Sequence, residues 1–206
     1  YNSNHNRNIN GILHHPNHII LSRRIQHNAD CVVIIDEAYV DFGAESAISL
    51  IEKYENLLVV QTSSKSRSLA GMRIGYAFGS ETLISTLEAV KNSYNSYTMD
   101  SLALAVGEAS IRDEAYFRET CRKVAATRDR AADELRALGF EVTPSLANFL
   151  FATHPKKAAP EIFSALREKG IFIRYFKLPR IDNYLRITVG TDEQMDKLIT
   201  ALKEIL

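Results

Sequence analysis

The segment from Leu57 to Phe78, LLVVQTSSKSRSLAGMRIGYAF, constrains the fold of this chain more than any other part of its sequence. Apolar runs from Leu57 to Val60 and from Ile74 to Phe78 are typical of buried strands. The loop between them places Lys65 among small hydroxyl side chains and ahead of Arg73. Hydroxyl donors and a guanidinium suit a phosphate group, and a partly buried lysine beside a cation has a lowered pKa and becomes a usable nucleophile.

A solvated basic loop is the alternative interpretation of Ser-Lys-Ser-Arg-Ser, and it is the better one if the segment is taken alone. A second pattern favours a ligand-binding site over a solvated loop. The run from Cys31 to Ile35 is β-branched and stops abruptly at Asp36, with Tyr39 soon after. Apolar strands that end in a carboxylate are typical of parallel sheets, whose ligands gather beyond the carboxyl ends of the strands. Asp36 and Tyr39 are therefore predicted to face the same crevice as Lys65.

These patterns together, IDEAYVDF, TSSKSRSLAGMRIGYAFG and the later NYLRITVGT, resemble the pyridoxal-phosphate aminotransferases of fold type I. The resemblance covers about residues 30–206 and is strongest to the members that move the amino group of histidinol phosphate to 2-oxoglutarate. It implies pyridoxal 5'-phosphate as cofactor, with Lys65 holding it as a Schiff base and moving the proton. The other implied contacts are Asp36 to the pyridine nitrogen, Tyr39 to the ring hydroxyl, Thr62, Ser64 and Arg73 to the phosphate, and Arg174 and Arg186 to the substrate.

The resemblance also implies an α/β fold in two parts. Residues 31–111 are expected to form the C-terminal part of an aspartate-aminotransferase-like large domain, a mostly parallel sheet flanked by helices. Residues 112–206 are expected to form a small α+β domain. Within them, Ser80, Asp100 and the Thr191–Gln194 pair are predicted helix caps. A long helix is predicted over Arg112–Leu138, and strands over 148–152, 171–174 and 184–189.

Residues 1–30 differ from the rest and are predicted to be an irregular polar arm. The histidines there, His5, His14, His15, His18 and His27, lack a carboxylate or cysteine partner, so no metal site is predicted. The family has an Asn-Pro-x-Gly turn in this region, whereas this chain reads His15-Pro16-Asn17-His18. The chain also begins at Tyr1 without a methionine, and is expected to be an N-terminally truncated piece.

Arg174 and Arg186 each lie in an otherwise apolar strand, where an unpaired guanidinium needs an anion or a surface position. From the residues alone, both interpretations stay open. Only the resemblance makes Arg186 a carboxylate clamp.

Composition excludes other classes of function. Of 206 residues, 46% are hydrophobic and 24% charged, as in an ordinary globular protein. Lys+Arg and Asp+Glu both number 25, so no basic surplus points to nucleic acid or a membrane surface. The two cysteines, Cys31 in a strand expected to be buried and Cys121, form no motif and suggest a reducing, cytoplasmic setting.

The sequence thus predicts transamination of a small amino-acid or phosphate-ester substrate, by a protein that is a homodimer at full length. Two alternatives stay open. One is a related decarboxylase of threonine phosphate, which shares the cofactor residues. The other is a non-catalytic truncated fragment.

Overall fold

The structure is a computed structural model and describes residues 18–206. Its first sheet has three strands. β1 (Val33–Asp36) runs parallel to β2 (Leu57–Thr62), and β2 runs antiparallel to β3 (Gly75–Gly79). Asp36 lies opposite Val60 in the parallel pair. The expected parallel pairing therefore holds for β1 and β2, while β3 turns back because a loop, not a crossover helix, joins it to β2.

The second sheet has four strands in the order β4-β5-β7-β6, and every pair is antiparallel. Its strands are β4 (Glu141–Val142), β5 (Phe149–Thr153), β6 (Arg174–Tyr175) and β7 (Leu185–Thr188). Apolar side chains from this sheet and from the helices that cover it form one buried core, which includes Leu135, Leu150, Ile162, Ile187 and Leu202.

Six α-helices accompany the two sheets in the described part of the chain. They are α1 (His18–His27), α2 (Glu81–Tyr94), α3 (Ser101–Arg112), α4 (Glu114–Ala137), α5 (Ala159–Glu168) and α6 (Asp192–Ile205). The predicted caps are confirmed. The side chains of Ser80, Asp100 and Thr191 accept hydrogen bonds from first-turn amides, and Thr191 completes its capping box with Gln194.

The predicted helix over 112–138 is nearly correct, but its start is displaced. α3 ends at Arg112, and Asp113 caps the separate helix α4 by accepting from the Tyr116 amide. Gly139, with a left-handed φ of 89°, follows the C-cap of α4 and ends the helix.

The sequence predicts an irregular arm before residue 30. This prediction is wrong for the residues of that segment that the structure describes. His18–His27 is helical because Leu21 and Ile25, one turn apart, are buried against Leu57 and Val59 of β2. This burial depends on tertiary contacts. The polar residues around Leu21 and Ile25 gave the sequence no clear helical pattern. Residues 1–17, including Tyr1, His5, His14 and His15, lie outside the described residues.

Two strand predictions also need correction. β1 begins at Val33, and Cys31 is exposed in the turn before it, not buried. The predicted strand 171–174 is displaced. Of its residues only Arg174 pairs with β7, and the next residue, Tyr175, completes the short strand β6. Residues 18–206 contain no helix that is both long enough and apolar enough to cross a membrane.

Hydrogen bonds between α4 and α6 should make the stability of the fold depend on pH in the acid range. Thr127 Oγ1 donates to Asp192 Oδ1 at 2.8 Å, and Arg130 Nη2 does so at 3.0 Å. These donors, Thr127 first, hold the pKa of the Asp192 carboxyl below its usual range. A carboxyl whose pKa is lower in the folded state than in the unfolded state stabilises the fold at a pH above its ordinary pKa. This stabilisation is lost as the pH falls through the folded-state pKa. We expect Asp192→Asn to lower Tm by about 1–3 °C at pH 7.

As the pH falls through the lowered folded-state pKa, the carboxylate becomes protonated, so the difference in Tm between the variant and the parent should shrink. Circular dichroism melts at pH 7 and pH 3 measure both values. Asp133→Asn is the control, because Asp133 bonds only to Arg136 of its own helix. A difference that is equal at the two pH values would contradict the role of the Asp192 carboxylate.

Exposed apolar side chains in β1 and just before it lead to a second prediction. Val32 and Ile34 are 51% and 60% exposed, and no strand within residues 18–206 pairs with the outer edge of β1. Apolar side chains on an open strand favour association. We expect the 206-residue polypeptide to self-associate, and Ile34→Lys to shift it towards monomer in light scattering coupled to gel filtration. Ser49→Lys adds the same charge elsewhere and should not. A parent chain that is already monomeric would refute this.

Candidate active site

Lys65 follows β2 in a tightly held turn. Its neighbours are anchored: Ser63 is fully buried and its hydroxyl contacts that of Tyr76, while Ser66 Oγ donates to Asp41 Oδ2 at 2.5 Å. The Lys65 side chain itself is exposed, and its Nζ lies 5.7 Å from the centroid of the Tyr39 ring. The buried serines on either side thus fix the turn and leave the amine accessible beside an aromatic face.

The hydroxyl side chains predicted to bind phosphate lie together next to this turn. Thr62 Oγ1 is 2.9 Å from Ser64 Oγ, and it accepts from the Ser64 amide at 3.1 Å. The Ser63 amide donates to the Ile74 carbonyl, which brings the end of the loop back to the end of β2. Arg73 therefore follows the loop at the same place, with a left-handed φ of 56° and an exposed side chain that donates to the Ala70 carbonyl.

Asp36 ends β1 at the same edge of the sheet. Its side chain is exposed, and Oδ1 accepts a hydrogen bond from the Ala38 amide at 3.0 Å. Because β1 and β2 are parallel neighbours, the carboxylate of Asp36 and the turn of Lys65 both lie beyond the carboxyl ends of their strands.

Tyr39 connects this edge to the second sheet. Its ring meets the ring of Phe149 edge to face, with centroids 5.3 Å apart. The guanidinium of Arg186 lies over the same Phe149 ring, 4.3 Å from its centroid. The order of contacts is therefore Lys65, Tyr39, Phe149, Arg186, so the structure brings the predicted amine and the predicted carboxylate clamp to one region.

The two predicted substrate arginines face each other across neighbouring strands. Arg174 lies directly opposite Arg186 in the register of β6 and β7, so both side chains point to the same face of the sheet. Arg186 is half-buried and its Nε is buried without a hydrogen-bond partner among residues 18–206. Arg174 is exposed, with its guanidinium 5.4 Å from the Phe176 ring. A buried unpaired donor beside a second cation is suited to an anion.

Sequence reasoning missed two residues that shape this region. Phe149 was predicted only as part of the strand 148–152, yet its ring lies between Tyr39 and Arg186. Glu37 is 8% exposed and accepts three hydrogen bonds: from the Ala47 amide at 2.6 Å, from Ser46 Oγ at 2.7 Å and from Gln61 Nε2 at 2.9 Å. It ties β1 to β2 where the site residues begin. The Asp36-Glu37 pair was the available signal, since successive side chains of an extended segment point to opposite faces.

The thiol of Cys121 is poorly suited to act as a nucleophile. Burial, and then the carboxylate of Asp41, raise the pKa of Cys121 on α4. A thiol of raised pKa stays protonated and is a poor nucleophile. The nucleophile that the site offers is therefore the amine of Lys65, next to hydroxyl and guanidinium donors for a phosphate. This donor set fits a ligand that carries both a phosphate and an electrophilic carbon.

Comparisons with known proteins identify relatives of this chain. Histidinol-phosphate aminotransferase of Acinetobacter baumannii (strain SDF) is 58% identical over 180 residues, which are 87% of this chain and 50% of that protein. The chain thus spans about half the length of the curated relatives that it matches.

Solved structures give the same fold. Histidinol-phosphate aminotransferase from Sinorhizobium meliloti, in complex with pyridoxal-5'-phosphate, has a TM-score of 0.77 and 28% identity, over 89% of this chain and 52% of that chain. L-threonine-O-3-phosphate decarboxylase from Porphyromonas gingivalis has a TM-score of 0.76 at 24% identity, over 90% of this chain and 58% of its own. The second likeness shows the fold alone.

The predicted fold class, part of an aspartate-aminotransferase-like α/β large domain followed by an α+β unit, is confirmed by these likenesses. The family model for aminotransferase class I and II matches residues 18–202. The match includes both strand ends of the candidate site and the sheet that carries the two arginines. The chain therefore belongs to the family of class I and II aminotransferases.

Proposed function

We propose that this chain is part of a pyridoxal-phosphate-dependent transaminase whose amino donor is histidinol phosphate and whose acceptor is 2-oxoglutarate. One observation carries the proposal: Lys65 Nζ, the Tyr39 ring, the Phe149 ring and the Arg186 guanidinium follow one another in contact. Two neighbouring aromatic rings thereby link an amine for the cofactor to a cation for the substrate. The relatives named histidinol-phosphate aminotransferase support the choice of substrate.

The residues present fit the proposed cofactor. Pyridoxal 5'-phosphate, when bound, supplies an aldehyde that condenses with amines and a ring that takes up the electron pair released at the substrate carbon. Lys65 would hold it through Nζ, and Thr62, Ser64 and Arg73 would bind its phosphate. Asp36 would keep the pyridine nitrogen protonated, because a carboxylate beside a basic nitrogen favours its charged form. Tyr39 would donate to the ring hydroxyl.

Two roles remain for these residues during turnover. The free amine of Lys65 would act as the base that removes the proton from the substrate carbon and later returns it. Arg186 would orient each substrate through its anionic end. The unpartnered Nε of Arg186 supports this role, because a buried donor without a partner is costly until an anion binds.

The proposal extends to the setting of the full-length protein. We propose a homodimer in the cytoplasm, in keeping with the free thiols of Cys31 and Cys121. Because this chain spans about half the length of its relatives, turnover is assigned to a full-length protein that contains it. The 206-residue chain alone is expected to bind the cofactor weakly and to be a poor catalyst.

The assignment of Lys65 has a direct chemical test. Borohydride reduction of protein incubated with pyridoxal 5'-phosphate fixes the cofactor to the amine that holds it, and peptide mapping then locates that amine. We expect label on Lys65, because its amine is exposed next to the hydroxyl cluster. In Lys65→Arg the label should be absent, while Lys91→Arg serves as the control. Label on Lys91 or Lys177 in the parent chain would refute the assignment.

The two arginines should differ in which substrate they recognise. Arg186→Ala should slow transamination of both histidinol phosphate and glutamate, because both substrates need the half-buried cation. Arg174→Ala should affect histidinol phosphate far more, since only that donor carries a phosphate. Charge-assisted hydrogen bonds contribute about 1.5–3 kcal/mol, so each loss should be about one to two orders of magnitude in kcat/KM.

Steady-state kinetics of a full-length enzyme with each donor measure these losses. Arg167→Ala removes an exposed arginine from α5 and is the matched control. Equal losses for both donors in Arg174→Ala would leave that arginine without a role in phosphate recognition.

A further inference from the structure

Arg128 is a buried charge that joins two distant segments. It lies on α4, is 3% exposed, and donates from Nη1 to the carbonyl of Phe42 at 2.8 Å and to the carbonyl of Ala147 at 3.3 Å. Its Nε donates to Asp129 at 2.8 Å. Phe42 belongs to the segment after β1, whereas Ala147 precedes β5 of the second sheet. One side chain thus holds together the two parts of the molecule that carry the candidate site.

The first acceptor is rigidly connected to Tyr39. The Phe42 amide donates to the Tyr39 carbonyl at 3.3 Å, and the Val40 amide donates to the Glu37 carbonyl at 3.2 Å. Gly43 ends this turn with a left-handed φ of 118°. A movement of the Phe42 carbonyl is therefore passed on to Tyr39 within a single turn of backbone.

The second acceptor is connected to Phe149 in a similar way. Ser145 Oγ donates to the Phe149 carbonyl at 2.6 Å and accepts from the Ala147 amide at 3.2 Å. Ala147 and Phe149 are 4% and 5% exposed, so neither segment has free space around it. The backbones of Ala147 and Phe149 are therefore held together in one hydrogen-bonded turn, so a movement of the Ala147 carbonyl should also move Phe149.

We propose that Arg128 is a positioning residue for substrate binding. It sets the separation of Tyr39 from Phe149, and through those rings the separation of Lys65 from Arg186. The inference rests on the proposed function, since it concerns the distance between the amine that would hold the cofactor and the cation that would bind substrate. Arg128 is distinct from these groups, because its contacts are backbone carbonyls and Asp129.

The planar guanidinium is suited to this task. Its donors point in fixed directions, so it can bond Asp129 through Nε and two carbonyls through Nη1 at once. A lysine has one compact donor group on a flexible stem and cannot reproduce all three bonds. Arg128→Lys keeps the buried charge but loosens the connection, whereas Arg128→Met also removes the charge and leaves both carbonyls without this donor.

Arg130 provides a matched control on the same helix. It bonds Glu134, Asp192 and Asp196, so it joins α4 to α6 without touching either segment that Arg128 holds. A general loss of stability would follow from either arginine. Only Arg128 should affect the contact between Tyr39 and Phe149.

Hydrogen–deuterium exchange of the 206-residue chain tests the connection without any cofactor. In Arg128→Met, peptides covering residues 38–44 and 145–150 should both exchange about tenfold faster, with Arg128→Lys in between and Arg130→Met unchanged there. If Arg128→Met does not fold, Arg128→Lys alone decides the test. Faster exchange in only one of the two segments, or evenly along the chain, would overturn the proposal.

Kinetics of a full-length enzyme test the consequence for substrate. Arg128→Lys should raise KM for histidinol phosphate about tenfold and change the dissociation constant of pyridoxal phosphate by less than about twofold. Equal changes in both constants, or no change in KM, would overturn the positioning role. A parent enzyme without transaminase activity would instead contradict the proposed function, and the exchange experiment would still decide whether Arg128 sets the contact.

Discussion

The parallel pairing of β1 with β2 is the interaction on which the rest of the structure depends. It ends two strands at the same edge of a sheet, so Asp36 and the turn that carries Lys65 lie on the same side. Glu37 reinforces this edge from within, because its buried carboxylate accepts hydrogen bonds from Gln61 on β2 and from the segment that follows β1. A buried carboxylate that lost these donors would be costly. The strand ends are therefore fixed relative to each other by backbone and side-chain bonds together.

The second requirement is that the two sheets stay in contact. The aromatic pair of Tyr39 and Phe149 connects the edge with Lys65 to the sheet with Arg186. Edge-to-face aromatic contacts are modest in energy and sensitive to geometry. The nearby Arg128, buried between carbonyls from both sides, supplies the directional bonds that such a contact lacks. Under the proposed positioning role, Arg128 sets where Arg186 lies relative to Lys65, although Arg128 is not among the residues assigned to cofactor or substrate.

The candidate site differs from the rest of the molecule in how its charged residues are paired. The chain carries as many basic as acidic residues, and several arginines on the helices are paired with carboxylates, as in Arg112 with Glu108 and Arg118 with Glu114. Near the candidate site, by contrast, Arg174 and Arg186 face each other without a salt bridge to any described carboxylate. A protein with no net charge therefore has a local excess of positive charge, which is what a small anionic ligand requires.

The sequence by itself determined the local features of this protein. Helix caps at Ser80, Asp100 and Thr191 were predictable because each depends on a side chain and an amide a few residues away. The family was recognisable because the motifs around Asp36, Lys65 and Arg73 keep a fixed spacing, although the roles of these residues stay predictions. Only the tertiary structure decided that His18–His27 is helical, that Phe149 stands between Tyr39 and Arg186, and that Arg128 joins two remote carbonyls. These features depend on contacts between residues far apart in the chain, where the burial of one partner is set by the position of the other, and a local pattern carries no information about that position.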